Sequence, residues 1–187
     1  MDIKNNLTDI LDELRRYSER IDNQQLRQYI NEIAAAKRIF IAGTGRSGLI
    51  IRAFAMRLMH LGKDVHVLGN VTAPRAEAGD LLLIGSGSGE TKSMVYTAEK
   101  AKSCGMRLAL NTMDINSTLA KMADVVIVLP GVSPKIKNNA GKITSIQPMA
   151  SSYEQLSLLV YDGIIMELME KLGQTDVEMF KRHANIE

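Results

Sequence analysis

Two glycine-rich segments with hydroxyl side chains are the residues of this chain best suited to chemistry. The first, 43–48, fits the pattern G-x-G-x-x-G and contains Ser47, and the second, 85–91, is rich in serine and ends in Thr91. Glycines let the backbone approach a phosphate, while hydroxyls and the N–H groups of a helix start donate hydrogen bonds to it. A single phosphoryl group is the predicted ligand, and the residues predicted to bind it or the rest of its molecule are Ser47, Ser86, Gly87, Ser88, Gly89, Glu90 and Thr91.

Several features limit this interpretation. Each loop alone could be an ordinary turn, and Glu90, near a helix start, could simply act as a cap. Arg46 could add positive charge, although an arginine beside a helix start can equally point to solvent. The pattern does not support NAD, because the second strand ends without an acidic residue and Asp64 stands at its wrong end. It does not support an ATPase either, because neither loop contains the P-loop lysine.

The elements around these loops predict an α/β fold. Short Val/Ile/Leu-rich segments alternate with helical ones, which indicates a parallel sheet covered on both faces. No repeat or linker divides the chain, so we predict one domain over residues 1–187 with a doubly wound, flavodoxin-like, five-stranded sheet. The predicted strands are 38–42, 65–68, 80–84, 107–110 and 125–129, and the predicted helices between them are about 49–61, 92–103 and 119–122.

Helices are predicted at both ends of the chain. Apolar residues recur every three or four positions over 1–35, which is typical of an amphipathic arm, broken near Asp22. At the other end, over 148–187, Pro148 suits the first turn of a long helix to about residue 172. That helix is apolar nearly all round, so it is either central or buried against another subunit. Thr175 and Glu178 match the capping box of a last short helix. The stretch from Pro130 to Gly141 is predicted to be a surface loop.

Composition excludes several classes of partner. The chain has 187 residues, a net charge of +2, only 4% aromatic residues and no Trp. This balance gives little attraction for nucleic acid or an anionic membrane. The single cysteine, Cys104, cannot pair within the chain, and there is no signal peptide or membrane span. We therefore expect a cytoplasmic protein that needs neither metal nor cofactor.

The two loops resemble those of a known family. The segment 43–48 followed by 55–60, together with 84–91, is similar to the sugar isomerase (SIS) domain. Within it, the stretch 146–149, the pair 154–155 and the ending 183–187 resemble the 6-phospho-3-hexuloisomerase family. The resemblance covers nearly the whole chain.

The resemblance implies an activity and a set of roles. It implies interconversion of D-arabino-hex-3-ulose 6-phosphate and fructose 6-phosphate through an enediol, a step of the ribulose monophosphate route of formaldehyde fixation. Glu154, within the matching stretch, is then the catalytic base, and His183 is the second acid/base, in its own or a neighbouring subunit. The family also implies a homotetramer and a phosphorylated hexulose as substrate.

Two alternatives remain open at this stage. Another SIS isomerase, for pentose or heptose phosphates, would use the same phosphate loops with a different base. A non-catalytic sugar-phosphate-binding regulator would use the loops for binding alone, although only about 35 residues precede the first strand, too few for a DNA-binding domain. A substrate panel separates these possibilities.

Overall fold

Strands and helices alternate along the chain in the computed structural model, which describes residues 2–136 and 143–186. The described strands are β1 Arg38–Gly43, β2 Asp64–Val67, β3 Leu81–Gly85, β4 Arg107–Thr112 and β5 Val125–Val128. The described helices are α1 Ile3–Ser18, α2 Asn23–Ala35, α3 Gly45–His60, α4 Lys92–Ser103, α5 Thr118–Met122, α6 Ser151–Lys171 and α7 Asp176–Phe180.

The five strands form one parallel sheet in the order β2-β1-β3-β4-β5. This is the flavodoxin-like, doubly wound order, so the predicted fold class is confirmed. Successive strand side chains point to opposite faces. On one face Ile39, Ile41 and Leu83 pack against α1, α2, α3 and α6, and on the other face Phe40 and Leu82 pack against α4 and α5.

The limits of the first elements mostly agree with the predictions. The predicted break in the amino-terminal arm is confirmed, since Asp22 accepts a hydrogen bond from the N–H of Gln24 (2.7 Å) and caps α2. Helix α3, however, begins at Gly45 rather than near residue 49. The glycine loop is itself the first turn of the helix, because Gly48 has no side chain to keep the helix away from the end of β1.

The start of α6 also differs from the prediction. Pro148 lies before the helix, which begins at Ser151. Met149 has a φ of 51°, a left-handed conformation that interrupts the chain between the proline and the helix. Only one face of α6 is buried, while Leu159 and Met166 on the other face are exposed.

Two further predictions concern the carboxyl-terminal part. The capping box of Thr175 and Glu178 is confirmed at the start of α7. The predicted loop after Pro130 contains neither helix nor strand over 131–136, and its remaining residues lie outside the described part. Among the described residues, no helix combines the length and the apolar character that a membrane crossing requires.

The close approach of α3 to β1 predicts that Gly48→Ala is destabilising. The added Cβ would lie 2.6 Å from the carbonyl oxygen of Gly43, and backbone atoms cannot yield without separating the helix from the strand. We expect a loss of about 1–3 kcal/mol in the free energy of unfolding, measured in urea. As a control, Gly163→Ala adds a Cβ in open space on α6 and should be neutral or slightly stabilising. Equal losses in both variants would contradict this account.

Candidate active site

A cavity of about 280 Å³ lies at the carboxyl-terminal edge of the sheet, where the loops after β1 and β3 diverge. The order of the strands along the sheet changes direction between β1 and β3. Open α/β sheets bind their ligands at such a point. Five parts of the chain line the cavity. They are the start of α3 (residues 44–47), the loop from β3 to α4 (85–88 and Thr91), Met113 after β4, the loop after β5 (133–135) and the start of α6 (149–151 and Glu154).

Hydroxyl groups line the sheet side of the cavity. Ser47, Ser86, Ser88 and Thr91 all lie along it, as the sequence predicts. Ser86 is the most informative of them, because it is buried and its Oγ has no hydrogen-bond partner among the described residues. A buried hydroxyl without a partner is costly unless a ligand supplies one. The serine-rich loop therefore presents donors that are available to an anion.

The starts of three helices reinforce this character. Helices α3, α4 and α6 begin beside the cavity, and none of the three has a side-chain cap. In contrast, α1, α2, α5 and α7 each begin with a side chain that accepts a hydrogen bond from the first turn. The N–H groups of an uncapped helix start bear partial positive charge and bind anions. The described helices that lack caps are thus the ones that meet at this cavity.

Glu154 and Arg46 form an ion pair on the helical side of the cavity. The carboxylate of Glu154 lies in the first turn of α6, and its Oε2 is 2.9 Å from Nη1 of Arg46. The same nitrogen donates a hydrogen bond of 2.9 Å to Oγ of Ser151. The Glu154 side chain is only 13% exposed, whereas that of Arg46 is 56% exposed. Both side chains line the cavity, and Glu154 is the one carboxylate among the lining residues. Arg46 orients this carboxylate through the ion pair.

A buried tyrosine fixes the position of that first turn. The hydroxyl of Tyr153 donates to the backbone oxygen of Asn111 (3.0 Å), which ties α6 to the end of β4. Burial raises the pKa of Tyr153, so its phenol keeps the proton that it donates. A Cβ at Gly87 or Gly131 would come within 3.0 Å and 2.7 Å of Tyr153. The two glycines therefore leave room for the Tyr153 side chain, and Glu154 follows Tyr153 directly in the chain.

Glu90 and Gly89, both among the predicted substrate- or phosphate-binding residues, do not line the cavity. The carboxylate of Glu90 accepts hydrogen bonds from the N–H of Thr118 (2.6 Å) and from its hydroxyl (2.9 Å). The carbonyl of Gly89 accepts from the N–H of Leu119 (3.1 Å). Both residues face α5, because the loop turns away from the cavity after Ser88. Gly87, by contrast, lies at the cavity as predicted.

His183 is also remote from the cavity of its own chain. It is exposed, and its ring stacks on that of His60, with 5.2 Å between the centroids. His60 is the last residue of α3, whereas Arg46 is in the first turn, about 21 Å away along the helix axis. Burial, with contributions from Arg57 and His183, lowers the pKa of His60. A catalytic role for His183 therefore requires the cavity of another subunit.

Several residues at the cavity were not anticipated. Lys135 and Ser133 come from the loop after β5, and Met113 follows β4. Their position after strand ends at the same edge of the sheet is a signal that could have indicated them. Within 2–136 and 143–186, no three His, Cys, Asp or Glu side chains are grouped as metal ligands would be.

Comparison with known proteins identifies the class. The SIS domain family matches residues 32–159, so the chain belongs to this family. The 3-hexulose-6-phosphate isomerase of Bacillus subtilis (strain 168) is 46% identical over 97% of this chain and 97% of its own length. That of Mycobacterium gastri is 40% identical over 100% of this chain and 92% of its own.

A solved structure supports the same grouping. A Methanococcus jannaschii protein, whose crystal structure led to an inferred function of 3-hexulose-6-phosphate isomerase, superposes with a TM-score of 0.81. It is 34% identical in sequence, and the match covers 98% of this chain and 99% of that protein. The similarity therefore extends over both the SIS domain and the terminal helices.

The unpartnered hydroxyl of Ser86 generates a test of the anion site. Ser86→Ala should weaken the binding of inorganic phosphate by about 10- to 100-fold, as expected for a hydrogen bond of ~1.5–3 kcal/mol to a charged group. The free energy of unfolding should not fall, because the hydroxyl has no partner among the described residues. Calorimetric titration and urea unfolding measure the two quantities.

A second buried serine provides the control. The hydroxyl of Ser117 donates to the carbonyl of Asp114 (2.8 Å) and caps α5 by accepting from Ala120. Ser117→Ala should therefore lose about 1 kcal/mol of stability and keep its affinity for phosphate. The assignment fails if Ser86→Ala binds phosphate as tightly as the unsubstituted protein.

Proposed function

We propose that the protein is a 3-hexulose-6-phosphate isomerase, which interconverts D-arabino-hex-3-ulose 6-phosphate and fructose 6-phosphate in the ribulose monophosphate route. The observation that carries the proposal is the combination of an anion-binding wall and a carboxylate in one cavity. Ser86 and the uncapped starts of α3 and α4 lie on one side, and Glu154 of α6 lies on the other. The full-length similarity to enzymes of this name supports the choice of substrate.

The phosphate of the sugar binds at the sheet side of the cavity. Ser47, Ser86, Ser88 and Thr91 donate to its oxygens, and the starts of α3 and α4 add backbone N–H groups. Lys135, on the loop after β5, contributes positive charge. Because these groups hold the phosphate end of the substrate, the carbonyl end extends toward α6.

Glu154 transfers the proton between the two carbons. It takes the proton from carbon 2 of the 3-hexulose phosphate, the C–H electrons form the double bond to carbon 3, and the oxygen at carbon 3 gains a proton. The resulting enediol receives the proton from Glu154 at carbon 3 and loses the hydroxyl proton from the oxygen at carbon 2. The product is a ketone at carbon 2, and no electrons leave the substrate.

Arg46 orients the base. It contacts Oε2 of Glu154, so Oε1 is the oxygen that we assign to proton transfer. Arg46 also contacts Ser151, which belongs to α6 like Glu154, and this second contact holds the guanidinium at the mouth of the cavity.

His183 of a neighbouring subunit moves protons between the two substrate oxygens. Exposed apolar side chains supply surfaces for assembly: Ile3, Leu7 and Leu11 on α1, and Leu159 and Met166 on α6. Contiguous exposed apolar surface is typical of subunit contacts. The homotetramer and the cytoplasmic location expected from the sequence belong to this proposal.

The role of Glu154 predicts that Glu154→Gln lowers kcat by about 10²–10⁴-fold, because the amide cannot accept the proton. KM should change only a few-fold, since the phosphate is bound by other residues. A coupled assay of fructose 6-phosphate formed from the 3-hexulose phosphate measures both constants. Glu167→Gln, an exposed residue of the same helix, is the control and should leave both unchanged.

Comparison with pentose and heptose phosphates in the same assay tests the choice of substrate. Higher kcat/KM on another sugar phosphate would replace the proposed reaction with that isomerisation. Binding of the hexulose phosphate without turnover or solvent exchange of its carbon-bound proton would favour a regulatory protein.

If each cavity combines Glu154 of one subunit with His183 of its neighbour, two inactive variants should complement each other. Glu154→Gln and His183→Gln homo-oligomers should each have low activity, because every cavity lacks one group. Subunit exchange restores intact cavities, and for a two-fold pair the expected recovery is about a quarter of wild-type activity. Mass spectrometry of differently labelled subunits verifies that exchange has taken place. If activity does not recover after verified exchange, a contribution of His183 from the neighbouring subunit is excluded.

A further inference from the structure

Glu13 is a buried acid that lies outside the cavity. It belongs to α1 and is only 1% exposed. Its carboxylate accepts hydrogen bonds from the hydroxyl of Ser145 (2.7 Å), the N–H of Ile146 (2.9 Å) and the side-chain amide of Gln147 (3.4 Å). None of the ion pairs among the described residues includes Glu13. Its charge is therefore balanced by donors from one short segment, residues 145–147.

A buried charge of this kind is a poor choice for stability alone. An apolar residue of similar size would avoid the loss of hydration, and it would not need three donors in fixed positions. Since the donors include a backbone N–H and two side chains from consecutive residues, the carboxylate determines the path of that segment. The contact is directional, whereas apolar packing would leave the segment free to shift.

Tyr17 makes a second contact with the same segment. It lies one helical turn after Glu13, and its hydroxyl donates to the carbonyl of Thr144 (2.8 Å). Burial, together with the negative charge of Glu13, raises the pKa of Tyr17, so the phenol remains protonated and continues to donate. Two residues on one face of α1 thus hold residues 144–147 from both ends.

The held segment leads directly to the cavity. Gln147 is followed by Pro148 and by Met149, whose φ of 51° is a conformation that a side chain seldom adopts. The carbonyl of Pro148 accepts from the N–H of Ser151 (3.1 Å), and the carbonyl of Ala150 accepts from that of Glu154 (3.0 Å). Few freely rotating bonds remain between the anchor and the base, because proline fixes one dihedral and these bonds fix others.

We propose that Glu13 is a positioning residue for the isomerisation: by anchoring residues 145–147 to α1, it sets the place of the first turn of α6 and hence of the Glu154 carboxylate. The inference rests on the proposed function, since it assigns a purpose to the position of that base. Glu13 touches no substrate, and it acts only through the segment that it holds.

The experiment compares Glu13→Gln and Tyr17→Phe with a matched control. Glu13→Gln keeps the size of the side chain but removes the charge and one acceptor, and Tyr17→Phe removes a single hydrogen bond. The control is Asp80→Asn, a buried carboxylate that accepts from the N–H of Glu77 (2.8 Å) and pairs with Arg38. It lies just before β3, at the opposite edge of the sheet from the cavity.

Glu13→Gln should lower kcat by about tenfold or more, because a displacement of about 1 Å can cost a reaction about 100-fold. KM and the inhibition constant of inorganic phosphate should stay within about twofold, because none of the side chains assigned to the phosphate belongs to α6 or to residues 144–150. Tyr17→Phe should lower kcat in the same way but less. Amide hydrogen exchange should become faster over residues 146–154 and remain unchanged over 85–91. Asp80→Asn should alter exchange near residue 77 and leave kcat unchanged.

The outcomes separate this inference from the proposed function. If the unsubstituted protein does not isomerise the hexulose phosphate, the proposed function fails, whatever the exchange data give. If it is active and Glu13→Gln has the same kcat, the positioning role is overturned. It is also overturned if kcat and phosphate affinity fall together, or if Asp80→Asn loses as much kcat, because either result indicates general destabilisation.

Discussion

The pairing of Gly43 with Gly85 at the ends of β1 and β3 is the constraint on which the site depends. The two strands are parallel neighbours, and these residues are opposite each other in the register. Both following loops therefore leave the sheet at the same level, and the crossovers lead to opposite faces of the sheet. The starts of α3 and α4 consequently converge on one volume, and the partial positive charges of their N–H groups add there.

This convergence has a steric requirement. Helix α3 can begin immediately after β1 only because neither Gly43 nor Gly48 has a Cβ, which would lie within 3.0 Å of backbone atoms of the other residue. The helix start is thereby held against the sheet without a side-chain cap, and residues 44–47 line the cavity. The same close packing that stabilises the β1–α3 unit also brings an uncapped helix start to the cavity.

Local sequence predicted those parts of the molecule that depend on local chemistry. Apolar strands, glycine loops and the capping box of Thr175 are each encoded within a few residues, so the sheet and the serine-rich wall could be inferred. The contacts of Arg46 with Glu154, and of Glu13 with residues 145–147, join positions about 100 residues or more apart. No periodicity of apolar residues in the sequence indicates such distant pairs. The contact of Glu90 with Thr118, 28 residues away, is of the same kind.

The two walls of the cavity are therefore built by different means. The wall with the hydroxyl groups lies directly after the ends of β1 and β3. The wall with Glu154 belongs to α6, which is joined to the sheet by the hydroxyl of Tyr153 and to α1 through the segment that Glu13 holds. Tyr161 of α6 accepts a hydrogen bond from the side-chain amide of Asn111 at the end of β4. Burial raises the pKa of Tyr161, so its phenol remains uncharged in this contact. Under the proposed function, phosphate binding and proton transfer thus belong to different parts of the fold, which the ion pair of Arg46 and Glu154 connects. The proposed positioning role of Glu13 then lets a change in α1 alter the rate of the reaction without altering how tightly the phosphate is held.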